Sequence, residues 1–225
     1  LLPPLERLNL WEERGVISTD LAGATRLTHL LLGNIKTSVV YEVQPRALAA
    51  LCTLSRLRHL AFDVKPARVP QLAHLPTALE VLCVHVTRGL DDSGEIAWRP
   101  EEMRGKPNLC RVLEAVARLP HLRSLIISAP GMELHHRALA ARLGGRLTAL
   151  EELEVRCSDL KVHDVSVLAT LPARLRRLCA WYVLGSDEEE YKQLVEQHAR
   201  GGLVIEEGSS WDATFTHAFF EGDWE

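Results

Sequence analysis

The feature that limits this chain's fold most tightly is a hexamer, apolar at its first, fourth and sixth places, that recurs along its length. Leu150-Glu151-Glu152-Leu153-Glu154-Val155 is the clearest copy. Leu5-x-x-Leu8-x-Leu10, Leu27-x-x-Leu30-x-Leu32, Leu57-x-x-Leu60-x-Phe62 and Leu79-x-x-Leu82-x-Val84 precede it, as does Leu122-x-x-Leu125-x-Ile127. Leu175-x-x-Leu178-x-Ala180 follows, and a weaker copy at Gly202-Leu203-Val204-Ile205 closes the series. The central residues Leu8, Leu30, Leu60, Leu82, Leu125, Leu153, Leu178 and Leu203 stand 22, 30, 22, 43, 28, 25 and 25 residues apart. Self-similarity at such a period marks a stack of repeated units, each too small to bury its own apolar face.

In a short strand, alternate side chains face opposite ways. Leu153 and Val155 are therefore expected in a core, with Glu152, Glu154 and Arg156 facing outward. Stacked copies then form a parallel sheet, and the return segments must cover its apolar side. Several of these read as helices. In residues 45–54, Leu48, Leu51 and Cys52 fall at three-and-four spacing behind Pro45. Residues 107–119, 134–147 and 165–171 repeat the design. Ser186-Asp187-Glu188-Glu189 opens a last helix with a capping box, and Gly201-Gly202 ends it. Leu119-Pro120 and Leu171-Pro172 stop their helices just before a strand. Between Glu12 and Arg26 there is room only for a turn or a short helix.

These L-x-x-L-x-L copies resemble the leucine-rich repeat family over roughly residues 1–207. The helix-bearing style is most similar to ribonuclease-inhibitor-like repeats and the repeat region of F-box adaptor proteins. The resemblance implies an α/β solenoid, a horseshoe with a parallel sheet on its concave face and helices on its convex face. The ninth place of each unit, often an asparagine in that family, holds Glu13, Ile35, Lys65, Thr87, Pro130, Ser158 and Val183 here. The implied function is protein binding without catalysis. One version is the substrate-recognition part of a ubiquitin-ligase adaptor. The alternatives are a structural subunit held permanently in a larger assembly, and a GTPase-activating or other enzyme-regulating repeat protein.

Composition narrows the partners. A net charge of −4 argues against nucleic acid. No apolar run reaches the roughly 18 residues of a membrane span. The five cysteines are unspaced and odd in number, and there is no N-x-S/T site, which together predict an intracellular protein of cytoplasm or nucleus. Leu1 falls within a repeat and is not a methionine, so residues upstream are expected.

No catalytic set stands out: G-x-S-x-G, a phosphate loop and H-E-x-x-H are all missing. No cofactor is expected. His29 and His59 occupy the same outward place in neighbouring units, with His85 near, a metal or pH-sensitive patch in principle. Exposed histidines on a binding face explain them more simply, and no metal site is assigned. His135-His136 reads as solvated surface, and Asp187 to Glu190 as first-turn acids answering a helix dipole.

The organisation expected is an array of about eight repeats over 1–207, followed by an acidic aromatic segment over 208–225. The gap of 43 residues between Leu82 and Leu125 places a projecting loop at 87–106, rich in Gly, Pro and charge and carrying Trp98. A smaller excursion spans 36–43. In the C-terminal segment Trp211, Phe215 and Phe219 would share one helical face, as a cap on the last coil or as a docking peptide. The outward sheet face, taken as wet, supplies the candidate partner-binding residues: Arg7, Asn9, Trp11, His29, His59, Asp63, His85, Glu152, Glu154, Arg156, Arg177 and Trp181, joined by Trp98 from the loop. Tryptophan and arginine at both ends are the residue types that dominate interface hot spots.

Overall fold

Each hexamer becomes a strand that begins at its third residue. The computed structural model describes residues 5–10, 21, 23–32, 49–64, 72, 74–86, 109–134, 143, 145–160, 173–181 and 204–208. In chain order these hold β1 (Arg7–Leu10), β2 (His29–Leu32), β3 (His59–Val64), β4 (Val81–Val86), α1 (Leu109–Val116), β5 (Ser124–Leu134), β6 (Glu152–Leu160), β7 (Arg177–Trp181) and β8 (Val204–Gly208). The strands form one eight-stranded sheet in the order β1 to β8, and every neighbouring pair is parallel. Sequential parallel order with a return segment between strands is an α/β solenoid.

Register follows the leucines. Leu8, Leu30, Leu60, Leu82, Leu125, Leu153 and Leu178 form one column of Cα partners across β1 to β7. Those from Leu30 to Leu153 are at most 1% exposed and belong to a single apolar cluster running from Leu21 to Leu175. The column ends on Ile205, not on Leu203 as expected from the sequence: Leu178 pairs with Ile205.

The same turn precedes most strands. Leu27, Leu57, Leu79, Leu122 and Leu150 each donate their N–H to the carbonyl three residues back, at 3.0–3.3 Å. Two of the carbonyls belong to Leu54 and Leu119 and a third to Leu147, all three buried in the core. The repeating unit is thus longer than the hexamer: L-x-x-L-x-x-L-x-L, as in Leu54, Leu57, Leu60 and Phe62.

Neighbouring coils are tied at the residue just before each strand. The carbonyl of Glu6 accepts from the N–H groups of both Thr28 and His29. Thr28, Arg58, Glu80, Arg123 and Glu151 repeat this toward the next coil, all at 2.7–3.2 Å.

The helices expected on the return segments are represented by α1, which buries Val112, Leu113, Ala115 and Val116 in the core and exposes Glu114. Residues 49–51 are helical at the end of the stretch expected over 45–54. The helix expected to begin at Leu134 does not, because β5 runs to that residue. Two extra residues around Pro130 and Gly131 shift the register against β6, so Ala129 pairs with Cys157 and Glu133 with Asp159. Proline has no N–H for the ladder, which makes a bulge its natural place in a strand. Gly145, at φ 73°, then takes the left-handed conformation that ends a helical turn at Leu143. The loop at 87–106 with Trp98, the excursion at 36–43, the helices at 165–171 and 186–202, and the aromatic segment beyond Gly208 lie outside the described residues, as does Trp11.

The core column predicts a sharp contrast in stability. Leu125→Ala should cost about 2–5 kcal/mol, whereas Leu5→Ala, at a side chain 52% exposed, should stay within about 0.5 kcal/mol. Urea unfolding of both variants checks the difference.

Candidate functional site

The sheet has a second face, opposite the leucine column, and much of it is closed to solvent. Leu31, Ala61, Cys83 and Ile126 occupy one row across β2 to β5 and are 0–2% exposed, yet stand outside the main core cluster. Glu154 continues that row in β6 at 4% exposed. Asp63, His85 and Ser128 form the next row and are buried too. This corrects the expectation that the intervening side chains face water. The physical reason is their own composition: parallel strands buried on both faces read as near-continuous apolar runs, and Leu30-Leu31-Leu32, Leu60-Ala61-Phe62 and Leu125-Ile126-Ile127 are such runs.

Two polar groups inside this layer lie against each other. Asp63 and His85 are Cα partners on β3 and β4. His85 Nδ1 lies 3.3 Å from Asp63 Oδ1, both atoms sealed from solvent. Neither residue lies on an accessible surface as the sequence pattern suggested, and the same holds for Glu154.

What stays accessible is the line where the strands begin. In the row at the third hexamer place, Arg7 is exposed, while His29, His59, Val81, Glu152 and Arg177 are half-buried and Ser124 is buried. Ser124 Oγ donates to Glu152 Oε2 at 3.2 Å. The preceding row reads Glu6, Thr28, Arg58, Glu80, Arg123, Glu151 and Arg176, and every member is at least partly exposed. From Arg58 onward its charges alternate, and they pair between coils, Arg58 with Glu80 at 2.8 Å and Arg123 with Glu151 at 2.9 Å; Glu6 pairs instead with Arg26, one residue before its hexamer, at 3.9 Å. Sequence reasoning missed this second row. Its signal becomes visible once the hexamers are aligned and the second column is read downward.

His29 and His59 start β2 and β3 side by side, with ring centroids 4.2 Å apart and planes tilted by 32°. Burial, the adjacent His59 and the Arg7 guanidinium push the His29 imidazole down to about 4. Burial also lowers His59; Arg7 adds to that, while Glu80 acts in the opposite sense. Both rings are therefore neutral at pH 7. Among the candidate residues, then, the strand starts carry Arg7, His29, His59, Glu152 and Arg177. Asn9 pairs with Leu31, and Arg156 pairs with Trp181, but these three side chains lie outside those described.

No protein-family description and no curated protein matches the chain. Among solved structures it is similar to internalin C2 of Listeria monocytogenes str. 4b F2365. That match is 19% identical, spans 90% of this chain and 80% of the other, and has a TM-score of 0.47.

The lowered His29 sets a pH dependence. Between about 6.5 and about 4 the unfolded chain takes up a proton at this position and the folded chain does not. Stability should therefore fall as pH drops through that window, with the loss complete below it. Urea midpoints of the wild type and His29→Gln across the window check this: the wild type should lose more than the variant.

Proposed function

We propose that the chain is a non-catalytic protein-binding scaffold that holds its partner along the strand starts, extended by the 87–106 segment. The observation that supports this reading is the second-place row, at least partly exposed from β1 to β7, whose residues alternate in sign from Arg58 to Arg176. Six strand spacings of about 4.8 Å give a strip on the order of 30 Å long, enough for a protein surface or an extended peptide. Interspersed charges suit a protein partner of mixed charge better than the uniform phosphates of nucleic acid.

A separate aromatic contact beyond the strip belongs to the same reading, with Trp11, which follows β1 in sequence, and Trp181, which ends β7, as the residues to test. A reducing, intracellular setting is part of the proposal and rests on the cysteine pattern. The substrate receptor of a ubiquitin ligase is the narrower version, and it rests on the style of the repeats alone.

Affinity capture with four variants beside the unmodified chain tests the scaffold. The strip variant Arg7→Glu/Arg177→Glu and the end variant Trp11→Ala/Trp181→Ala should each lose a stoichiometric partner by about tenfold or more, a cost of at least about 1.4 kcal/mol. A chain lacking 87–106 should also bind more weakly. Arg118→Glu/Arg146→Glu, exposed on the return segments, should bind as the unmodified chain does. Equal capture by the first two variants and the unmodified chain would place the contact surface elsewhere.

A further inference from the structure

The Arg–Glu pairs of the second-place row follow one rule: each arginine bonds forward, to the glutamate of the coil that comes next. Arg58 Nη1 donates to Glu80 Oε1 at 2.8 Å. Arg123 donates to Glu151 Oε1 through both Nε and Nη2, at 3.2 and 2.9 Å. Arg176 is the third arginine of this ladder, and its backbone sits in the same seam. Its N–H donates to the Glu151 carbonyl at 2.8 Å, as those of Arg58 and Arg123 donate to the Thr28 and Glu80 carbonyls at 2.9 and 2.7 Å. The ladder therefore calls for a carboxylate one coil further on. Arg177 pairs with Val204, and the residue ahead of Val204 in the sequence is Leu203, so that place carries no carboxylate.

Arg174 lies two residues away, just ahead of its hexamer, as Arg26 and Arg56 lie ahead of theirs. On these two rows six described arginines stand against three glutamates, and Glu6, Glu80 and Glu151 are each taken, by Arg26, Arg58 and Arg123. Arg56, Arg174 and Arg176 are left over, and the last two stand together, both exposed, at the start of β7. Neither has an ion-pair partner among the described residues. This edge is thus positive in a chain whose net charge is −4.

We propose that Arg176, with Arg174 beside it, is the docking point for an acidic segment of the partner protein, whose carboxylate takes the place of the missing ladder glutamate. This rests on the scaffold reading above and names the chemistry that the partner brings to the β7 end of the strip. Arg58 and Arg123 show what the position binds, a carboxylate oxygen at 2.8–2.9 Å. A guanidinium presents its donors as a planar fork that matches a carboxylate, and it is more weakly hydrated than an ammonium. In an extended chain, residues two apart project to the same side and stand on the order of 6–7 Å from each other. A Glu-x-Glu sequence in an extended partner segment can therefore meet both arginines at once.

Fluorescence anisotropy of a labelled Gly-Ser-Glu-Ser-Glu-Ser-Gly peptide, titrated with the full chain at low salt, tests the site. The peptide should bind, and a version with Gln for both Glu should bind about fivefold more weakly or worse. Arg174→Gln/Arg176→Gln should weaken the Glu peptide to the same degree, Arg176→Lys by less, and Arg118→Gln/Arg146→Gln not at all. Leu203→Glu, which supplies the ladder's own carboxylate, should weaken the peptide too, whereas Leu203→Gln should not. Undiminished binding by the Arg174→Gln/Arg176→Gln chain, or equal binding of the two peptides, would overturn the proposal. So would an oligonucleotide of the same charge binding as tightly as the Glu peptide. Tighter binding, dependent on Arg176, by a chain ending at Gly208 would give the site to the chain's own acidic segment and overturn it as well. The scaffold reading fails separately, when partner capture is unmoved by Arg7→Glu/Arg177→Glu and by Trp11→Ala/Trp181→Ala.

Discussion

The array depends on one backbone interaction, the carbonyl ahead of each strand accepting two N–H groups from the coil that follows. It recurs at Glu6, Thr28, Arg58, Glu80, Arg123 and Glu151. It aligns the strand starts from β1 to β7, and with them their side-chain columns, whatever the length of the return segment. The step from Leu82 to Leu125 spans 43 residues and the step from Leu8 to Leu30 spans 22, yet Glu80 and Glu6 make the same pair of bonds. The Arg58–Glu80 and Arg123–Glu151 pairs lie on this seam, but exposed ion pairs contribute only about 0.2–1 kcal/mol each. Burying each column leucine contributes about 1.5–3 kcal/mol. Leucine burial and the backbone therefore hold the coils, and the charges chiefly disfavour a slipped register.

The second consequence of that alignment is a division of the sheet's outer side into zones. Toward the strand ends, Leu31, Ala61, Cys83 and Ile126 with the Asp63–His85 pair make a shielded layer. Toward the strand starts, titratable and charged groups remain within reach of solvent. Side chains there are ordered by strand spacing rather than by a pocket, which is why His29 and His59 meet at ring-stacking distance although they are 30 residues apart in sequence. A surface of this kind suits recognition of another molecule along a line.

The leucine columns were legible in the sequence because apolar spacing and period both pointed to the same stack. The last copy was not. Leu203 and Ile205 lie two residues apart and so share a face, which leaves the apolar pattern unable to choose between them. Only the pairing of Leu178 with Ile205 does. The pattern from Leu134 reads as a helix, but the strand absorbs Pro130-Gly131 as a bulge and continues to Leu134. Exposure differs more: strict alternation predicts wet side chains on the outer face, yet the fifth-place residues from Leu31 to Ile126 are themselves apolar or small. The Arg–Glu seam was hidden because its partners are 22 and 28 residues apart and meet only when coils are superposed.

The central claim is that one unbroken seam joins the coils from β1 to β7, including the pair separated by the long insertion. Residue-resolved amide hydrogen exchange measures this directly. Thr28, His29, Arg58, His59, Glu80, Val81, Arg123, Ser124, Glu151, Glu152, Arg176 and Arg177 should exchange slowly, with Arg123 and Ser124 as protected as Glu80 and Val81. Protection at Glu80 and Val81 with unprotected exchange at Arg123 and Ser124 would mean that the array is broken between β4 and β5, and would contradict the account.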